Sequence, residues 1–146
     1  GNYYGHLLLR RDIAVIDTLD KKPVAGRSYL FVSDTDQAIR YRIMLVERLL
    51  AIGPCNARAE NESIFVDDER LNIEPLNRMK IKDTEDIDVP EGHLLIHCPI
   101  PEVGRFFTNR AESVELLSTK VDSIRGRMVA LIQNRGREII LWKDPQ

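Results

Sequence analysis

The chain has 146 residues, 43% of them hydrophobic and 30% charged, the size and composition of one folded domain and far from those of a disordered segment. A formal net charge of -2 supplies no global field for nucleic acid, an anionic membrane or a polyanion, so binding of that kind needs a local patch. No stretch approaches the roughly 20 apolar residues that span a bilayer, and the opening residues lack the pattern of a signal peptide.

Cys55 and Cys98 have the spacing of neither a disulfide staple nor a metal knuckle. A reduced, cytoplasmic setting is therefore expected, with no membrane partner. With Gly1 set aside, residues 2–146 read as a single α+β domain, since no repeat, low-complexity tract or long linker divides them.

In chain order, His6 to Arg11 and Asp12 to Ile16 read as one bent strand or a pair, followed by a turn from Asp20 to Gly26 around Pro23. Ser28-Tyr29-Leu30-Phe31-Val32 is a short β-favouring apolar run between turn signals, the pattern of a buried central strand. The spacing then predicts a helix, with Asp34 placed to cap it, Gln37 three residues on, and Gly53 and Pro54 to end it. Ile39, Ile43, Val46 and Leu50 make one apolar stripe, and Tyr41, Leu45, Leu49 and Ile52 a second beside it. So broad a face belongs against a sheet.

A polar loop from Cys55 to Glu62 leads to a strand over Ser63 to Val66, which runs into Asp67-Asp68-Glu69 and out through Leu71 and Ile73 as a hairpin. Met79 to Ile81 reads as a short strand before an acidic loop, and His93 to Cys98 as another strand, ended by Pro99. A second helix is expected over 109–134, with Asn109 and Glu112 as a capping box and Val114, Leu117, Val121, Ile124, Met128 and Leu131 as a heptad seam. Gly126 costs about 1 kcal/mol relative to alanine inside a helix. An alternative therefore stays open, in which Arg127 to Gln133 and Arg137 to Lys143 pair as a hairpin across Asn134-Arg135-Gly136. The simplest fold is a mixed or antiparallel sheet carrying two amphipathic helices, ferredoxin-like βαββαβ with an extra N-terminal strand or hairpin.

Carboxylates cluster at two expected strand ends, Asp34 with Asp36 and Asp67 with Asp68. Convergence of such groups is what a two-metal phosphoryl-transfer site needs, with Mg or Mn held by oxygen ligands on adjacent strand tips. No glycine-rich phosphate loop or partner lysine accompanies them, and caps and turns use the same residues.

Cys98 through Arg105 resembles the phosphate loop of the cysteine phosphatases in outline. However, Gly104 stands where that loop needs its arginine, and Pro99 and Pro101 lack the N–H groups of the cradle. His93 and His97, four apart on a strand, lie about 13 Å from one another, too far to share an ion. Arg10 and Arg11 near the start, and Arg125, Arg127, Arg135 and Arg137 later, are candidate phosphate or nucleic-acid contacts, with few aromatics between them for stacking.

No nucleophile, base and orienter occur at a persuasive spacing. The leading expectation is therefore a non-catalytic binding or regulatory module for a protein or nucleic-acid partner, without a cofactor, and with self-association through helix 109–134 as one route. The alternative is a metal-dependent nucleotide- or nucleic-acid-processing enzyme built on Asp34, Asp36, Asp67 and Asp68. A domain excised from a larger protein is also compatible with the sequence.

Overall fold

The computed structural model describes residues 12–34, 42–74, 80–101 and 111–144. In chain order the strands are β1 (Ile13–Asp17), β2 (Ser28–Asp34), β3 (Arg42–Arg48), β4 (Ala51–Ile52), β5 (Cys55–Glu60), β6 (Ser63–Val66), β7 (Glu69–Arg70), β8 (Lys80–Ile81), β9 (Ile87–Val89), β10 (His93–Pro101), β11 (Ala111–Lys120), β12 (Ile124–Gln133) and β13 (Glu138–Leu141). They form three sheets. The first has the order β1-β12-β2-β3, with β13 also on β12; the second is β4-β10-β11-β8; the third is β7-β6-β5-β9.

The second sheet lies between two cores. Tyr29, Phe31, Leu45, Leu49 and Ile124 of the first sheet and its outlet pack on Leu94, Ile96 and Cys98 of β10. Ala57, Ala59, Ile64 and Val89 of the third sheet pack with Leu95 of β10 and Val114 and Leu116 of β11. Successive residues of β10 therefore serve opposite cores, and Leu94 to Cys98 are buried without a break. The chain passes directly from the first sheet to the second after β3, where Leu50 N–H donates to Leu95 O at 2.9 Å and Gly53 N–H to His93 O at 2.9 Å.

The expected α+β class is overturned. Among the described residues the only helical pieces are single turns of 3-10 helix at Val121–Ser123 and Asn134–Gly136. The heptad seam of 109–134 is divided between β11 and β12, in two different sheets, so it is neither a helix face nor a helical dimer interface. Its alternating steps of three and four explain the misreading. A step of three crosses to the opposite face of a strand, and β11 has apolar neighbours on both faces: Leu116 belongs to one core and Leu117 packs against the other. In β12, residues 124–130 alternate between more and less buried positions, and Arg127 to Gln133 with Arg137 to Lys143 adopt the hairpin alternative.

The first expected helix fails for the same reason. Its two adjacent stripes describe a strand enclosed on both sides, since Leu45 through Leu50 are all buried. Asp34, its expected N-terminal cap, is the last residue of β2, and Gln37, Asp36, Arg10 and Arg11 lie outside the described residues. Gly53 is no helix cap. A Cβ there would stand 2.0 Å from the carbonyl oxygen of Pro90, so glycine lets two backbones touch.

Other expectations hold. Ser28 to Val32 is strand, Ser63 to Val66 and Glu69–Arg70 form a hairpin, and β8 falls at Lys80–Ile81. His93 to Cys98 is also strand, but it continues past Pro99 to Pro101. On that side β4 pairs only with Leu94 and Leu95, which leaves room for residues that cannot donate an N–H.

Candidate functional site

Glu47, near the end of β3, and His97 on β10 are fully buried, both 0% exposed. His97 Nδ1 lies 3.4 Å from Glu47 Oε2, without hydrogen-bond alignment. Burial pushes the Glu47 carboxyl well above its ordinary 4.5, against the opposing pull of the Arg48 guanidinium. Burial likewise lowers His97 to about 4. Burial thus disfavours the charged form of both groups.

Cys98 is pushed up to about 12, first by burial and then by Glu47 and Glu115, and Cys55 is raised by burial and by Asp67 and Asp88. Neither thiol has the electropositive surroundings that create a reactive thiolate.

The carboxylate candidates lie in separate sheets. Asp34 closes β2 in the first sheet. Asp67 and Asp68 form the two-residue turn between β6 and β7 in the third, with φ of 49° and 63°. Two consecutive left-handed residues match the type I′ hairpin. Asn61 and Glu62, at 49° and 66°, repeat the device between β5 and β6. Asp67 Oδ1 accepts the Asn56 N–H at 2.9 Å, and Asp68 pairs with Arg58, whose guanidinium lies over the Phe65 ring at 4.7 Å. Among the described residues no three His, Cys, Asp or Glu side chains converge in a metal-binding group. His93 is more exposed than His97, with Nδ1 3.3 Å from the Glu91 carbonyl oxygen.

The arginines divide by role. Arg127 is tied into the fold, with Nη2 3.2 Å from Asp144 Oδ2 and Nη1 3.8 Å from Asp20 Oδ2. Arg125 is exposed, its Nη1 donating to the Asp122 carbonyl oxygen at 3.3 Å. Arg135 and Arg137 are exposed at the turn joining β12 and β13, and Arg135 has φ of 57°.

Asp144 is the fastening point of this corner. Its Oδ1 accepts the Ser28 N–H and hydroxyl, both at 3.1 Å, and the Trp142 Nε1–H at 3.1 Å. The indole N–H also reaches Ser28 Oγ at 3.2 Å. One carboxylate thus ties the segment after β13 to the start of β2 and to β12. The Arg127 guanidinium makes one of these contacts charge-assisted, the stronger kind of hydrogen bond, and so ties the segment after β13 to β12.

What this corner presents is an edge. β13 pairs with β12 on one side, with Leu141 opposite Ala130 and Ile139 opposite Ile132. No strand among the described residues pairs with its other side. Trp142 N–H donates to Val129 O at 2.9 Å, so by alternation the N–H and C=O groups of Ile139 and Leu141 point outward.

Ile139 is 69% and Leu141 75% exposed. Ile13 of β1 stands opposite Ile132, which extends one isoleucine row across three strands, and Ile13 is 56% exposed. The hairpin alternative places these residues in a strand, but nothing in its periodicity marks the strand as an outer edge. The readable signal was the alternation Arg137, Ile139, Leu141, Lys143.

No described helix is long and apolar enough to cross a membrane. Compared with known proteins, the chain matches no family model, no curated protein and no solved structure.

Proposed function

We propose that this chain is a non-catalytic binding module that receives an extended segment of a protein partner as an added strand on the outer edge of β13. The observation that carries this reading is the coincidence of outward backbone groups at Ile139 and Leu141 with two of the most exposed aliphatic side chains of the protein. Edge strands are commonly blunted by proline, a bulge or a covering element, and the register of β13 with β12 is unbroken. Strand addition draws affinity from main-chain hydrogen bonds and specificity from alternate side chains, both of which this edge offers.

The reactive groups favour binding over catalysis. His97 is enclosed, the thiols are held protonated, and Asp67 and Asp68 serve a hairpin turn.

Hydrogen exchange tests the proposal. An uncharged peptide of alternating threonine and aliphatic residues, added in excess, should slow exchange at the Ile139 and Leu141 amides. Unchanged exchange there, or protection only elsewhere, would remove β13 as the working edge. Turnover of nucleotides or oligonucleotides with Mg²⁺ or Mn²⁺, lost on Asp67→Ala, would replace the binding reading with a metal-dependent one.

A further inference from the structure

The outward edge of β13 has a charge pattern as well as an apolar one. Ile139 and Leu141 share one face of β13, while Arg137 lies in the turn just before the strand and Lys143 two residues past its end. The result is a pair of aliphatic side chains bracketed by two cations. Arg137 and Lys143 are exposed, and neither takes part in a salt bridge among the described residues. Glu138 alternates with Ile139 and belongs to the opposite face.

Resting on the strand-addition reading, we infer that the segment received by β13 is a protein strand with the order acidic, x, aliphatic, x, aliphatic, x, acidic, bound antiparallel. In that register an aliphatic residue stands opposite each of Leu141 and Ile139, and the two acidic residues fall beyond the strand ends, toward Lys143 and Arg137. Directly opposed side chains are the unit of cross-strand stabilisation, and unlike charges there are favourable while like charges are not.

The same pattern disfavours a second copy of this chain as the occupant. Antiparallel self-pairing that sets Ile139 against Leu141 also brings the cations flanking the strand, Arg137 and Lys143, toward one another at both ends. The edge is thereby open to an acidic partner while its own charges oppose self-pairing, a use of repulsion to select a partner.

Three fluorescent heptapeptides test this on the full chain: Glu-Thr-Ile-Thr-Val-Lys-Glu, the same peptide with lysine at both ends, and one with threonine at both ends. The acidic-ended peptide is expected to bind about tenfold more tightly than the lysine-ended one, with the difference shrinking as salt is added. The double variant Arg137→Glu with Lys143→Glu changes only exposed side chains, and it should reverse that order.

Equal affinity for all three peptides, with protection at Ile139 and Leu141, would overturn the acidic specificity and leave strand addition standing. So would a preference that survives charge reversal. Protection of β13 by none of the peptides would remove both proposals. Concentration-dependent dimerisation, abolished by Leu141→Asp and competing with the peptides, would assign the edge to a second copy and overturn the acidic partner.

Discussion

Glu47 and His97 bring an acid and a base into an interior that disfavours the charged form of each, and the consequence is a specific pH dependence. Above its ordinary 4.5, Glu47 in the unfolded chain releases a proton that the native state retains, so its contribution to stability falls as pH rises toward the elevated native value. His97 acts in the opposite sense. Between 6.5 and about 4 the unfolded imidazole takes up a proton that the native state refuses, so stability falls as pH drops through that window.

The two slopes oppose one another as pH rises from 4.5, and that of His97 ends at 6.5. Glu47→Gln keeps the shape and removes the titration. In urea denaturation across pH, the variant should therefore gain stability relative to the parent as pH rises above 4.5. Parallel profiles for the two proteins would show that Glu47 ionises normally in the fold. Sequence alone did not mark this pair, because a glutamate among apolar residues fits the polar side of an expected helix as readily as the interior of a strand.

At the scale of the element, Gly126 separates the two accounts of residues 124–133 by sign. In a helix, Gly126→Ala would stabilise the protein by about 1 kcal/mol. In β12 an added Cβ would fall 2.5 Å from the Asp17 carbonyl oxygen and 2.5 Å from Ile16 Cγ2, where β1 shifts register between Val15 and Ile16. The expected outcome is a loss of about 1–3 kcal/mol by equilibrium denaturation, since backbone would have to move. A gain in stability would contradict the β1 to β12 packing. The glycine that looked like a weakness in a helix is a requirement of a close strand approach, and a bulge in a distant segment is not legible from the glycine itself.

For the whole molecule, the central sheet couples the two cores through β10 and β11. Leu95 faces one core and Ile96 the other. Leu95→Ala should cost about 2–5 kcal/mol, and the loss should spread across both. Measured by amide exchange, β5 and β2 should lose protection together in one cooperative transition. Loss confined to β5, β6 and β9, with β2 and β3 unaffected, would show that the third sheet unfolds independently.

What the sequence by itself determined is local: the strands at Ser28 to Val32, Ser63 to Val66 and His93 to Cys98, the turns around them, and the apolar positions destined for burial. These follow from side-chain preference and short-range alternation. Only the tertiary structure decided that Leu45 to Leu50 and the 109–134 seam are not helices, because a strand covered on both faces loses the alternation that would identify it. It alone also placed Asp34 and Asp67 in different sheets and left β13 at an outer edge. Which strand lies outermost depends on pairings between residues far apart in the chain, and local periodicity carries no record of them.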